Sequence, residues 1–159
     1  MTDELITIRE GGAADLPQVM RVMDESFDPY FGEAWTSSQC AGLLPLPGVW
    51  LSVASAAEGV IGFALARLVA DEAELLLLAV RRRCQGRGVG KMLLRDFENV
   101  AAAAGARRLH LEVRDGNHAF NMYVDDGFSL VSRRKNYYKG RDGYYFDALT
   151  LAKAAPGRG

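Results

Sequence analysis

Two periodicities of hydrophobic and polar positions alternate along the chain. Short apolar or alternating runs are typical of strands, and longer segments with apolar residues at helical spacing are typical of helices. The predicted strands are 5–9, 49–54, 60–69, 74–80, 108–113, 131–138 and 144–151. The predicted helices are 15–27, 35–42, 89–104 and 119–126. The order β-α-α-β-β-β-α-β-α-β-β predicts an α/β domain of the α+β type.

The junction between the run 74–80 and the helix 89–104 contains three alternating glycines, Gly86, Gly88 and Gly90. Cations crowd this helix start, where the positive end of the helix dipole disfavours them. They are Arg81, Arg82, Arg83, Arg87 and Lys91. A bound phosphate would compensate for the repulsion between these cations and the positive helix end. The free backbone N–H groups at the helix start could also donate hydrogen bonds to it. The junction therefore predicts a pyrophosphate site, with a solvated basic turn as the alternative.

Two common phosphate motifs do not fit this junction. A Walker loop needs a hydroxyl residue after Gly-Lys and a glycine five positions earlier, where the chain has Met92 and Gln85. The dinucleotide fingerprint Gly-x-Gly-x-x-Gly also fails, because the glycines alternate and no βαβ unit opens the chain. The sequence thus indicates a different phosphate ligand from those of nucleotide kinases and dehydrogenases.

Length, charge and cysteine content narrow the class of protein. The 159 residues are 49% hydrophobic with a net charge of −1, which predicts one domain with a real core and no general nucleic-acid binding. No apolar run reaches membrane-spanning length and the N-terminus is acidic, so we expect a cytoplasmic protein without a membrane partner. Cys40 and Cys84 have no metal-ligand spacing and are expected to be free thiols, with no metal bound.

Gln85, Gly88 and Gly90 match Gln/Arg-x-x-Gly-x-Gly/Ala, so the junction resembles the acetyl-coenzyme A signature of the GNAT acetyltransferase superfamily. The resemblance implies a single-domain GNAT fold over residues 1–152, with a mixed, mostly antiparallel sheet of about seven strands, about four helices and a disordered tail at 153–159. It also implies acetyl-coenzyme A as cosubstrate. The implied coenzyme-binding residues are Leu78, Ala79, Val80, Gln85, Gly86, Arg87, Gly88, Val89, Gly90, Lys91 and Asn117.

Later segments are similar to one branch of that superfamily, the bacterial RimI-type acetyltransferases. The matching segments are 109–114, Asn117, 119–123, 127–128 and 134–138, together with Trp35-Thr36. RimI-type enzymes acetylate the N-terminal amine of a ribosomal protein. The resemblance therefore implies a protein N-terminus as acceptor, a ribosomal protein among the candidates, and a monomer or weak dimer. Trp35, Asn136, Tyr137 and Tyr138 are implied to bind the acceptor.

Acetyl transfer from a thioester needs a neutral amine, a donor to the oxyanion and a proton for the leaving thiolate. Glu112 is the candidate base, because its side chain alternates with Leu111 and Val113 and must face away from them. Tyr123 is the candidate acid, since a phenol keeps its proton at neutral pH. The family implies a backbone N–H near Val80, where the strand bulges, as the oxyanion donor.

Three alternatives stay open. A GNAT enzyme could act on a small amine or a lysine side chain, since residues 27–34 form a longer loop than in RimI-type sequences and could reshape the acceptor groove. A noncatalytic coenzyme A-binding module would share the same glycines. Cys84, a thiol among arginines, could act as an acyl-carrying nucleophile, although neither His110 nor His118 has a spacing that implies a paired base.

Overall fold

A seven-stranded sheet forms the centre of the protein, in a computed structural model that describes residues 5–157. The strands are β1 Thr7–Gly11, β2 Val49–Ala56, β3 Gly59–Val69, β4 Glu72–Val80, β5 Arg108–Arg114, β6 Ser129–Lys139 and β7 Tyr145–Ala154. They lie in the order β1-β2-β3-β4-β5-β7-β6. Only β4 and β5 pair in parallel among these neighbours. The predicted mixed, mostly antiparallel sheet is confirmed.

Four α-helices cover the two faces of the sheet, as predicted. They are α1 Leu16–Ser26, α2 Ser37–Leu43, α3 Val89–Ala103 and α4 Ala119–Asp125. Helix α2 begins at a capping box, in which Thr36 accepts from the Gln39 N–H at 3.1 Å and Gln39 accepts from the Thr36 N–H at 2.7 Å. This reciprocal cap explains why so short a helix begins at Ser37, two residues after the predicted start.

The core consists of two apolar clusters, one on each face of the sheet. Val22 and Met23 of α1 and Cys40 of α2 pack on one face, against β2, β3 and the Leu77 and Ala79 side chains of β4. On the opposite face, α3 packs mainly over β3, β4 and β2. Its Leu93, Leu94 and Phe97 side chains belong to an apolar cluster that also contains Leu109, Leu111 and Val113 of β5. The alternation of β5 therefore directs Glu112 to the face that carries α1 and α2.

Strands β4 and β5 separate halfway along their length. Their pairing runs from Glu72 with Arg108 to Leu75 with Leu111 and continues no further. The extra residue of a β-bulge in β4 is Leu76, because Leu65 pairs with Leu77 and Ala66 with Leu75. The second half of β4 thus diverges from β5 and leaves a gap in the sheet. The bulge lies four residues before Val80, where the family resemblance had implied it.

The C-terminal end differs from the expected disordered tail at 153–159. Strand β7 continues to Ala154, and the Ala155 N–H donates to the Arg107 carbonyl at 2.9 Å. Ala155 is only 3% exposed. Small alanine side chains fit against the sheet here, so an Ala-rich segment that looked tail-like is part of the domain. Residues 158–159 lie outside the described part of the chain. Among residues 5–157, no helix is long and apolar enough to span a membrane.

Candidate active site

A continuous cleft of about 1600 Å³ occupies the gap between β4 and β5. It runs from the start of α3, past β4 and β5, to the 27–34 loop and β6. Its lining includes every residue that the sequence assigned to the site except Arg87 and Asn136. Residues that are distant in sequence and lie on both faces of the sheet therefore meet in one cavity.

The glycine turn, residues 85–90, forms one end of the cleft. Gly86 and Gly88 have φ angles of 85° and 83°, which side chains other than glycine rarely adopt. A Cβ atom on either residue would meet no heavy atom within 4 Å, so the space beside the turn is open. Gly88 caps α3, and the N–H groups that follow have no intrahelical acceptor. This end of the cleft can bind an anion through its backbone.

The cations at this helix start have different surroundings. Arg81 forms a bidentate ion pair with Glu25 of α1, at 2.9 Å from Nε and 2.8 Å from Nη2, which directs it away from a phosphate. Arg82 and Lys91 line the cleft, and Arg87 is exposed on the turn. Cys84 is fully buried in the core, so it is not available as the acyl-carrying nucleophile considered above.

The carbonyl of Val80 anchors the junction between β4 and the glycine turn. It accepts from the Ser26 hydroxyl at 2.7 Å and from Gln85 Nε2 at 3.1 Å. Gln85, the first position of the coenzyme motif, therefore holds the turn to the end of its strand. The C-terminal end of α1 contributes to the same anchor through Ser26.

Glu112 lies in the middle of the cleft, where the two strands have separated. Its side chain is 19% exposed, and Oε1 is 3.2 Å from Nε of Arg134 on β6. The Arg134 side chain is 60% exposed and reaches Glu112 from the solvent side. A carboxylate in this position can accept a proton from a group that enters the cleft.

Tyr123 reaches the same gap from the opposite face of the sheet. It is 6% exposed and packs edge-on against Phe128, with ring centroids 6.1 Å apart. Burial, and secondarily the charge of Glu33, raise the pKa of the Tyr123 phenol above its usual value. The hydroxyl therefore stays protonated throughout the neutral range and can act as a donor.

Other predicted residues divide between the cleft and its surroundings. Trp35, Tyr137 and Tyr138 line the end opposite the glycine turn. Asn136 does not line it but sits at an irregularity in β6, with a φ of 57° and its N–H bonded to Asp147 Oδ1 at 3.0 Å. Asn117 lines the cleft, yet its amide donates to Glu33 at 2.8 Å and accepts from the Ala119 N–H at 2.8 Å.

Among the charged residues of the cleft to which the sequence assigned no role, Glu33 and Arg114 are paired with each other. Glu33 of the 27–34 loop binds Arg114 Nε and Asn117 Nδ2, and its side chain is only 11% exposed. Arg114 ends β5 and is stacked on the Phe31 ring, 3.6 Å from its centroid. Arg114 belonged to a recognised segment, but Glu33 lies in the loop that departs from the RimI-type pattern. Sequence spacing gives no sign that the two meet.

Comparison with known proteins agrees with this geometry. Residues 16–128 match the acetyltransferase (GNAT) family. A segment of 93 residues is 40% identical to the [ribosomal protein bS18]-alanine N-acetyltransferase of Haemophilus influenzae, and it covers 58% of this chain and 64% of that protein.

Solved structures extend the likeness to the whole fold. The ribosomal-protein-S18-alanine N-acetyltransferase from Escherichia coli superposes with a TM-score of 0.85 at 27% identity, over 98% of this chain and 97% of that one. The Arabidopsis thaliana protein NAA60 in complex with acetyl-CoA superposes with a TM-score of 0.81 at 19% identity, over 96% and 100%. The similarity to NAA60 shows a common fold only. Because the family match spans well over half of its residues, the chain belongs to the acetyltransferase (GNAT) family.

Proposed function

We propose that this protein transfers the acetyl group of acetyl-coenzyme A to the N-terminal α-amine of a protein, with Glu112 as general base and Tyr123 as general acid. The observation that carries the proposal is the gap between β4 and β5. One cleft there is lined by an anion-binding turn, a carboxylate and a buried phenol. These are the groups that direct transfer from a thioester to an amine requires.

The glycine turn would hold the coenzyme pyrophosphate. Its open space, its positive φ angles and the helix N-terminus behind it fit a phosphate group, and Arg82 and Lys91 add positive charge beside it. The coenzyme supplies the activated acetyl thioester. Leu78, Ala79 and Val80 line the next part of the cleft and would guide the pantetheine arm along β4.

Glu112 would take the proton from the acceptor amine, directly or through a water molecule. A peptide α-amine has a pKa of about 7.7–8, against about 10.4 for lysine. Removing its proton at neutral pH therefore costs little free energy, and a carboxylate is a sufficient base. The exposed Arg134 side chain can move into solvent when a cationic acceptor approaches Glu112. A single base of this kind suits an α-amine better than a lysine side chain.

Tyr123 would give its proton to the coenzyme thiolate as the carbon–sulfur bond breaks. Its raised pKa ensures that the phenol carries the proton at physiological pH. Glu112 passes the first proton of the ammonium group to solvent, and the neutral amine attacks the thioester carbonyl. The nitrogen gains the acetyl group, Glu112 receives the second nitrogen proton, and the thiol leaves with the proton of Tyr123. Solvent returns both side chains to their starting protonation states.

The acceptor would enter from the end of the cleft lined by Trp35, Tyr137 and Tyr138. The Haemophilus and Escherichia relatives bear names that specify the alanine of a ribosomal protein, which supports a protein N-terminus as the acceptor class. A ribosomal acceptor would place the reaction in the cytoplasm, and a cleft that lies within one chain is compatible with a monomer or weak dimer.

An acceptor panel tests the proposal. Purified protein is mixed with acetyl-coenzyme A and four acceptors: a hexapeptide that begins Ala-Arg, one that begins with Ser, an N-terminally blocked peptide with an internal lysine, and a polyamine. Thiol release and mass spectrometry report turnover and position. Acetylation of the free α-amines is expected. Preference for the blocked peptide or polyamine, or coenzyme binding without turnover, would contradict it.

A further inference from the structure

The Glu33 carboxylate joins three separate segments of the cleft. Its Oε1 accepts from Arg114 Nε, and its Oε2 accepts from Asn117 Nδ2 at 2.8 Å. We call Glu33, Arg114 and Asn117 the Glu33 cluster. The side chains of Glu33 and Arg114 are 11% and 9% exposed, so this is an ion pair largely withdrawn from solvent. Such a pair requires precise geometry. Removing one partner destabilises the protein, because the other charge is then left buried without a counter-charge.

The two partners of Glu33 belong to the segments that carry the proposed acid and base. Arg114 is two residues beyond Glu112 on β5, so both side chains project from the end of one strand. Asn117 accepts from the Ala119 N–H at 2.8 Å, which fixes the first residue of α4. Helix α4 carries Tyr123. One carboxylate therefore connects the strand of Glu112 to the helix of Tyr123.

The 27–34 loop that presents Glu33 is also attached to the β6–β7 hairpin. Tyr30 donates its hydroxyl proton to Asp142 at 2.8 Å, and its carbonyl accepts from the Arg141 N–H at 2.9 Å. Phe31 packs against Phe146, with ring centroids 5.2 Å apart. The loop is thus held at Tyr30 and Phe31, just before Glu33, and these contacts limit where the Glu33 carboxylate can lie.

The charge of Glu33 affects two phenols of the cleft, Tyr123 and Tyr138. After burial, Glu33 is the next largest cause that raises the pKa of Tyr123 and of Tyr138. Glu112 and Tyr137 raise the pKa of Tyr138 further, and Arg114 opposes these effects. Removing the Glu33 charge should therefore lower the pKa of Tyr123.

We propose that Glu33 is a positioning residue for acetyl transfer: through Arg114 and Asn117 it fixes the 27–34 loop over the acceptor end and sets Tyr123 against Glu112. This inference rests on the proposed function. It assigns a role to the segment in which the chain departs most clearly from the RimI-type pattern, and Glu33 need not touch the reacting atoms to fulfil it.

Because Glu33→Gln alone leaves Arg114 without a charge partner and could impair folding, the test uses the double variant Glu33→Gln/Arg114→Gln as well. Glu33→Asp keeps the charge, and Glu58→Gln removes an exposed carboxylate in the β2–β3 turn as a control. Each protein is measured by hydrogen exchange of residues 27–36 and 115–123, by kcat, and by the KM values for the Ala-Arg hexapeptide and for acetyl-coenzyme A.

For the double variant we expect at least tenfold faster exchange in both segments and a kcat at least tenfold lower, with the KM for acetyl-coenzyme A within twofold of wild type. Glu33→Asp should recover part of the kcat, and Glu58→Gln should match wild type. Unchanged exchange, or faster exchange with unchanged kcat, would overturn the proposal. If the wild-type protein acetylates no α-amine, the proposed function fails, and the exchange result still decides whether Glu33 fixes these segments.

Discussion

The two ends of the cleft are constructed in opposite ways. The end proposed to bind the coenzyme comes from one continuous stretch within residues 78–91, and its glycine turn offers mainly backbone groups. The acceptor end comes from the 27–34 loop, the end of β5, the start of α4 and β6, and its charged side chains pair with each other. A backbone site depends on φ angles and tolerates varied side chains. A site of paired side chains depends on the identity and placement of each one.

This difference predicts that the two ends respond differently to substitution. Changing a side chain at a position of the glycine turn other than its glycines leaves the backbone N–H groups where they are. Changing Glu33 or Arg114 leaves a charged partner with little access to solvent. The acceptor end can therefore evolve only by coordinated changes, and those changes fall in segments far apart in sequence. The variants that follow separate the two ends.

The largest effect is expected from Glu112→Gln. Loss of the base should lower kcat by about 10²–10³-fold, because general base catalysis contributes on this scale. The dissociation constant of acetyl-coenzyme A should stay within about twofold, because the glycine turn is intact. Stopped-flow or steady-state kinetics and calorimetric titration measure the two quantities.

Glu74→Gln is the matched control, a second carboxylate of the same cleft that is paired with Arg67 at 2.9 Å. Its kcat should fall far less than that of Glu112→Gln. Equal losses in the two variants would mean that the cleft needs negative charge in general rather than a base at Glu112.

Tyr123→Phe should produce the next largest effect, a fall in kcat of about 10–100-fold, because the thiolate then has to draw its proton from water. The phenyl ring keeps the edge-on packing against Phe128, so thermal stability should change little. An unchanged kcat, with the thiol still released at the wild-type rate, would remove Tyr123 from the chemistry.

Glu98→Gln provides a reference far from both ends. Lys153 Nζ lies 2.5 Å from Glu98 and 2.9 Å from Asp126, and burial followed by the neighbouring Asp126 raises the pKa of Glu98 to about 7. The folded protein therefore holds this proton to higher pH than the unfolded chain, so wild-type stability should fall between about pH 4.5 and 7.

The glutamine variant lacks that fall, so its free energy of unfolding relative to wild type should rise by about 2 kcal/mol between pH 5 and pH 8, measured by urea unfolding. Acetyl-coenzyme A affinity and kcat should stay near wild type. A difference between the two proteins that is the same at pH 5 and pH 8 would contradict a raised pKa of Glu98.

Gly88→Ala should have the smallest effect. Alanine at a φ of 83° costs about 1 kcal/mol of backbone strain, and no neighbour blocks its methyl group. We expect acetyl-coenzyme A to bind about fivefold more weakly with an unchanged KM for the peptide. Gly42→Ala in α2, where the φ is ordinary and the space is open, is the control and should bind the coenzyme normally. Equal affinities for both variants would argue against a backbone-built coenzyme site.

The sequence predicted the parts of this protein that depend on local patterns. The order of elements follows from periodicity and the arrangement of the sheet from the family resemblance, and both are confirmed. The glycine turn, predicted from one contiguous motif, lies at the start of α3, and its coenzyme remains a prediction. The bulge at Leu76 could not be located, because a run of four leucines does not show which residue is the extra one. The sequence also gave no sign that β7 continues to Ala154, since alanines suit both a tail and a tightly packed strand.

The acceptor end was less predictable for a physical reason. Glu33 and Arg114 are 81 residues apart, and only tertiary folding brings their charges together. Asn117 was assigned to the coenzyme from the resemblance, whereas its amide binds Glu33 and the start of α4. Contacts between distant loops produce no periodic pattern in the sequence. Local patterns can therefore place such residues near the site, but they do not show which residues they contact.

The most direct test of the account is a crystal structure of the protein with coenzyme A joined covalently to the N-terminal nitrogen of an Ala-Arg peptide. The account predicts the pyrophosphate on the N–H groups of the glycine turn, the sulfur beside the Tyr123 hydroxyl, and the peptide nitrogen within one water molecule of Glu112. A peptide nitrogen on the far side of β4 from Glu112, or a pyrophosphate away from residues 85–90, would contradict it.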